Sequence, residues 1–224
     1  MDRKITALNV QKKNPSRINV YLDGEFAFGI SSIVSAWLKI GQFLNQEKIN
    51  ELLEKDGHEV AFQRALHFLS YRPRSESEVR KKLSGLEYSA NVIDRVIQHL
   101  ITAGMLGDEQ FARTWVENRE AFRPRSRRLL RLELYHKGVS SEMIDKALEN
   151  TANESELAYR LAQKYHRRLV GLEWKEFNRK LGSYLGRRGF SYGVISPVVR
   201  RIWSEILLEM NSNQSKENEE MLNG

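Results

Sequence analysis

The strongest constraint on the fold of this 224-residue chain is an internal repeat of 51 residues. Arg72-Pro73-Arg74-Ser75 recurs as Arg123-Pro124-Arg125-Ser126. The same shift carries Val79 to Leu130 and Leu181, Leu83 to Leu134 and Leu185, Ser89 to Ser140 and Ser191, and Ile93 to Ile144 and Ile195. One register held at four positions in three copies implies one structural unit used three times. A unit this small buries too little surface to be stable alone, so the copies are expected to stack into an elongated, curved body.

Each copy reads as three short helices. Val79 and Leu83 lie one helical turn apart on one face, as a core-facing stripe requires. Ser89, Ser140 and Ser191 each follow a break and precede an apolar helical pattern, the N-cap role in which a hydroxyl accepts a backbone N–H. Gly138 and Gly189 close the preceding helices. Copy one has Glu87 at that place, with Gly85 nearby, so its turn is expected to differ. Ser75-Glu76-Ser77-Glu78 reads as a capping box. The predicted helices span 58–71, 76–84 and 90–103 in copy one, 109–122, 127–137 and 141–150 in copy two, and 154–169, 173–187 and 192–210 in copy three.

The segment before the repeats has a different pattern. Residues 5–10 and 18–22 alternate as strands do, with Asn14-Pro15-Ser16 as a turn between them. Asp23-Gly24 signals a hairpin before Phe26, Phe28 and Ile30. The expected fold is mainly α, with a small N-terminal three-stranded antiparallel sheet. Its parts are 1–57 (strands and linking helices at 31–38 and 46–55), repeats at 58–107, 108–152 and 153–210, and a disordered polar tail at 211–224.

Composition narrows the function. The chain has no Cys, which excludes disulfide scaffolds and Cys-based zinc sites and fits a reducing compartment. No apolar run follows the charged N-terminus, and the most apolar stretch, 26–40, is too short and polar to span a bilayer. A cytoplasmic protein with no membrane partner is expected. Net charge is +7. Residues 1–58 carry only +1 and 211–224 carry −2, so the excess sits in the repeats. Between Tyr159 and Trp203, 45 residues hold eleven Lys and Arg against Glu173 and Glu176. Such self-repulsion is relieved by an anionic partner, and arginine's planar fork suits phosphate or carboxylate.

No catalytic constellation accompanies that charge. The five histidines (His58, His67, His99, His136, His166) lack metal-ligand spacing, and no Gly-x-Ser-x-Gly elbow or Gly-Lys-Ser/Thr phosphate loop occurs. Glu76 and Glu78 read as first-turn acids, Asp108 as an N-cap, and Trp115, Trp174 and Trp203 as packing residues. No enzyme, metal or cofactor is expected.

The residues resemble the RecX family of bacterial RecA modulators. Similar stretches are Ala65-Leu66, then Arg72 through Arg80 with Lys82-Leu83; Gly104-Met105-Leu106-Gly107-Asp108 with Phe111-Ala112 and Trp115-Val116; Leu132-Glu133-Leu134 with Lys137-Gly138-Val139, Ile144 and Ala147-Leu148; and Leu181, Leu185, Arg187-Arg188-Gly189-Phe190 and Val194-Ile195. The resemblance covers about 60–205. At the first junction the family more often reads Gly-Tyr-Leu-Asp-Asp, where this chain has Met105 and Gly107. Shorter members lack the sheet segment.

The resemblance implies a modulator, chiefly an inhibitor, of RecA in DNA repair, recombination and the SOS response. Such a modulator would lie along the RecA–DNA filament and suppress ATP hydrolysis and strand exchange. Partners would be that filament and, weakly and without sequence preference, single- and double-stranded DNA, met by a monomer. Candidate contact residues are Arg123, Arg125, Arg127, Arg128, Arg131, Lys137, Arg167, Arg168, Arg179, Lys180, Arg187 and Arg188. A helix-turn-helix transcription regulator, a nuclease and a helical protein-interaction scaffold are the rival readings. The first predicts one recognition helix, whereas the basic charge is spread over two copies. The second needs clustered carboxylates for metal ions.

Overall fold

The computed structural model describes residues 2–149 and 151–222, the side chains of 213–222 excepted. The chain divides into two units, Met1–Gly107 and Asp108–Gly224.

The first unit opens with the antiparallel strands β1 (Arg3–Gln11), β2 (Asn14–Leu22) and β3 (Glu25–Ser31). A two-residue β4 (Phe43–Leu44) adds to the outer side of β1, giving the order β3-β2-β1-β4. Asp23 and Gly24 make the β2–β3 turn with φ of 51° and 89°, the left-handed backbone that a two-residue hairpin needs. The Asp23 carboxylate accepts the Lys4 amide at 3.0 Å and the Arg3 guanidinium at 3.1 Å. These donors, the amide first, hold its pKa below the usual aspartate value. The β1–β2 turn is not at Asn14-Pro15-Ser16 as expected. It is Lys12-Lys13, and Pro15 lies within β2. There the β1 register shifts between Val10 and Gln11, and the β3 pairing begins only at Arg17. Pro15 therefore withholds its missing N–H from no regular ladder.

After α1 (Ser32–Ser35) comes α2 (Gln46–Ser70), a single helix of 25 residues. The sequence suggested two helices broken near Gly57. A mid-helix glycine costs only about 1 kcal/mol, and both halves of α2 are anchored. Ile49 and Leu52 complete the sheet core of Ile5, Val20, Leu22, Phe28, Ile30 and Leu44. Ala61, Phe62 and Ala65 complete the core of repeat one with α3 (Glu76–Ser84) and α4 (Ala90–Thr102). Between the two cores Asp56 is buried, accepting the Ser31 amide at 2.6 Å and the Arg17 guanidinium at 2.9 Å. Arg17 also donates to the Gly29 carbonyl at 2.6 Å.

The second unit holds repeat two, α5 (Asp108–Phe122), α6 (Arg127–His136) and α7 (Ser141–Glu149), and repeat three, α8 (Glu154–Tyr165), a 3-10 turn (His166–Arg168), α9 (Trp174–Gly186) and α10 (Tyr192–Leu222). The helix α10 continues past the expected end at 210, so 211–222 are helical rather than disordered; 223–224 lie outside the described residues. Extending an established helix adds one hydrogen bond per residue fixed, which explains how a polar stretch can continue it.

The repeat register holds in space. Val79, Leu130 and Leu181 are 0%, 1% and 0% exposed, and Leu83, Leu134 and Leu185 are fully buried. Ser75 caps α3 in a full capping box with Glu78, and Ser126 caps α6 by accepting the Leu129 amide at 3.2 Å. Ser89 and Ser140 cap α4 and α7 in the same way, whereas at Ser191 the amides of Val194 and Ile195 bond its carbonyl.

The expectation of a different turn in copy one does not hold. Glu87 takes φ 63°, the left-handed backbone that Gly138 (80°) and Gly189 (86°) adopt at the equivalent places. Its amide donates to the Ser84 carbonyl, as Gly138 does to Tyr135 and Gly189 to Gly186, each at 2.9 Å. The hydrogen-bonding needs of the helix end override the side chain's reluctance.

Candidate functional site

The repeated Arg-Pro-Arg-Ser motif proves to be a helix-starting device. In copy one Arg72 pairs with Glu78 at 2.7 Å and donates to the Pro73 carbonyl, while Arg74 lies on the Phe68 ring, 3.9 Å from its centroid. Burial, with Arg72 nearby, lowers the pKa of Arg74. In copy two Arg125 ion-pairs closely with Glu133. Glu133 also accepts the Trp115 indole N–H at 2.8 Å and Arg119 at 2.9 Å. Arg119 and Lys137 both lie over the Trp115 ring.

A second pairing follows the register. Arg80 of α3 meets Asp94 of α4, and Arg131 of α6 meets Asp145 of α7, both at 2.5 Å. Arg131 thus clasps two helices of its own repeat, though it remains exposed.

The structure brings together two clusters that are 60 residues apart in the chain. The Ser126 amide donates to the Arg188 carbonyl at 3.0 Å, so Arg127-Arg128, opening α6, stand beside Arg187-Arg188, closing α9. Arg127 is tied further into this joint. Its amide donates to Glu154 at 2.7 Å and its guanidinium to the Thr151 carbonyl at 3.1 Å. Glu120 accepts the Ala152 amide at 2.9 Å on the same side. Arg188 stacks on Tyr184 at 3.7 Å and donates to that residue's carbonyl, and Arg187 donates to the Ser183 hydroxyl at 2.8 Å. Arg179 and Lys180 share Glu176, and Arg168 faces Tyr165. Among the candidate cations and the described residues, Arg123, Arg128 and Arg167 are exposed and carry no internal ion pair, side-chain hydrogen bond or ring contact.

Of one basic wall the sequence reading singled out only Arg167 as a contact residue, not Arg160 or Lys164. Arg160, Lys164 and Arg167 follow one another at helical spacing and line a groove of about 730 Å³ with His166; α10 supplies Ile202, Glu205, Ile206 and Glu209 opposite. Glu205 is engaged by the Tyr159 hydroxyl at 2.8 Å and by Arg201 at 3.1 Å. The hydrogen bond to Glu205 raises the pKa of both partners. Spacings of four and three residues were the available signal. Among the described residues no group of three or more His, Asp and Glu is placed to hold a metal, and no helix is long and apolar enough to cross a membrane.

Comparison with known families decides the identity of this arrangement. The RecX N-terminal domain matches residues 3–45, and the first, second and third three-helix domains of RecX match 61–100, 108–148 and 153–199. The chain belongs to the RecX family of regulatory proteins. Each RecX three-helix domain falls on one copy of the 51-residue repeat. Regulatory protein RecX of Clostridium beijerinckii is 30% identical over 205 residues, covering 89% of this chain and 95% of that protein. RecX of Bacillus subtilis is 34% identical over 202 residues, covering 88% and 76%. A crystal structure of regulatory protein RecX matches with a TM-score of 0.68 at 28% identity, over 88% of this chain and 98% of that one. RecX from Lactobacillus salivarius matches with a TM-score of 0.57 at 25% identity, over 66% and 97%.

Proposed function

We propose that this RecX protein is a non-enzymatic, cytoplasmic inhibitor of RecA that lies along the RecA–DNA filament and suppresses ATP hydrolysis and strand exchange. The observation that carries the reading is the joint between repeats two and three. There the backbone hydrogen bond from Ser126 to Arg188 brings Arg127-Arg128 near Arg187-Arg188, a grouping that supports an anion-binding surface. Guanidinium groups on a fixed framework bind phosphate oxygens without reading bases. Neither catalysis nor a cofactor has a part in this. Adding the protein to RecA, single-stranded DNA and ATP should slow ATP hydrolysis in proportion to its concentration. Unchanged hydrolysis with a filament-saturating excess of protein would overturn the reading. The helix-turn-helix alternative predicts instead tight binding to one duplex sequence, which competition with random DNA separates.

A further inference from the structure

The three repeats act as internal controls for one another, and against them α6 shows one feature that folding does not require. Along one stripe of α6 lie Arg128, Leu132 and Tyr135, with Leu132 47% and Tyr135 65% exposed. At the same register positions copy one has Ser77, Lys81 and Ser84, and copy three has Arg179, Ser183 and Gly186. All three copies bury the same Leu or Val pair on the opposite face, so the exposed Leu132 and Tyr135 serve no core. Between α6 and α7 this stripe borders a groove of about 340 Å³ with Leu129 and Ile144 in its lining. Of the two arginines on the rim, Arg131 is neutralised by Asp145, whereas Arg128 has no ion pair among the described residues.

We infer that this groove is a docking site for an acidic segment of a partner protein, one that seats a large apolar side chain beside Leu132 and Tyr135 and sets a carboxylate on Arg128. The apolar part of the lining, Leu129, Leu132 and Ile144 with the Tyr135 ring, favours an apolar side chain over a phosphate, and the single uncompensated guanidinium on the rim matches a single carboxylate. Exposed Tyr and Arg around an apolar pocket are the residue types that dominate binding at protein interfaces. The inference rests on the filament reading above, and the segment is placed on the recombinase protomers rather than on the DNA.

The test uses the full chain with Leu132→Ser and Tyr135→Ser together, and separately Arg128→Ser. Serine already stands on this stripe in the other copies, at Ser183, Ser84 and Ser77 respectively, so the helix and its core should form normally, with circular dichroism as the check. Affinity is measured for RecA filaments assembled on oligo(dT) with a non-hydrolysable ATP analogue, and for oligo(dT) alone. The double variant should bind the filament at least about tenfold more weakly and oligo(dT) as tightly as the parent. The Arg128→Ser variant should lose less. If parent and double variant bind the filament equally, the groove is not a docking site. An equal loss on both probes would make it a platform for nucleobases, also overturning the inference. If the parent binds oligo(dT) and not the filament, the filament reading itself fails and the inference falls with it.

Discussion

Glu87 and Gly189 hold the same left-handed backbone, at φ 63° and 86°, with opposite consequences for mutation. For an L side chain that conformation costs about 1–2 kcal/mol, a penalty glycine avoids at some entropic cost. Glu87→Gly should therefore raise stability, by up to about 1 kcal/mol, seen as a higher melting temperature. Gly189→Ala should do the reverse and more. A Cβ there would stand 2.5 Å from the Ser126 hydroxyl and 2.8 Å from Leu129 Cβ, and Ser126 is the cap of α6. A loss above about 1 kcal/mol is expected in chemical denaturation; an unchanged midpoint would show that the joint between repeats two and three is looser than described. Asp23 adds a pH dependence. Its pKa is lowered below the ordinary 3.8 by the Lys4 amide and by Arg3. The hairpin's gain is therefore complete above that ordinary value and is lost as pH falls through the lower folded value. An NMR titration of the Asp23 carboxyl should show a midpoint below 3.8, moved part of the way back in Arg3→Ala because the Lys4 amide still donates.

Among the elements, α2 decides how the sheet and repeat one are connected, because its two halves complete two different cores. Asp56 is the polar tie between them, buried and bonded to Ser31 and Arg17. Asp56→Ala leaves the Ser31 amide without its acceptor and the partly buried Arg17 with only the Gly29 carbonyl, a loss of about 1–3 kcal/mol. Hydrogen exchange should then quicken across β2, β3 and the middle of α2 before it does in α3 and α4. Equal quickening throughout would mean that the sheet has no separate anchorage. No charge pattern in the sequence announces this tie. Arg17 and Asp56 are 39 residues apart and belong to segments that the periodicity assigns to different elements.

For the whole molecule, the twelve candidate cations separate by what they already touch. The Arg127 guanidinium bonds the repeat joint at Thr151, Arg188 stacks on Tyr184 and donates to its carbonyl, and Arg125 and Arg131 pair with acids. Arg123, Arg128 and Arg167 are exposed without an internal ion pair, side-chain hydrogen bond or ring contact. Changing these three to Ala should shift stability by less than about 0.5 kcal/mol while weakening binding to the RecA–DNA filament. Changing Arg127 and Arg188 should weaken binding and also lower the melting temperature, because both guanidinium groups are engaged by backbone carbonyls. Affinity for DNA should fall with salt, by roughly 10³–10⁵ between about 50 and 200 mM if six to ten phosphates are neutralised. A flat response in that titration would remove phosphate from the interface.

The sequence by itself determined what repetition and periodicity can carry. Val79, Leu130 and Leu181, with Leu83, Leu134 and Leu185, occupy equivalent core positions because a helix must bury its apolar stripe whatever surrounds it. The capping serines and the Asp23-Gly24 turn were equally legible, since each satisfies backbone groups within a few residues. Only the tertiary structure decided matters that depend on distant partners. Gly57 does not break α2, because packing at both ends outweighs a local propensity. Glu87 takes a glycine's conformation because the turn's hydrogen bonds outweigh its Cβ. Arg127 and Arg188 meet because Ser126 bonds the end of α9. Which arginines are occupied and which are free follows from that folding, since the acid or carbonyl that engages each guanidinium often lies on another element.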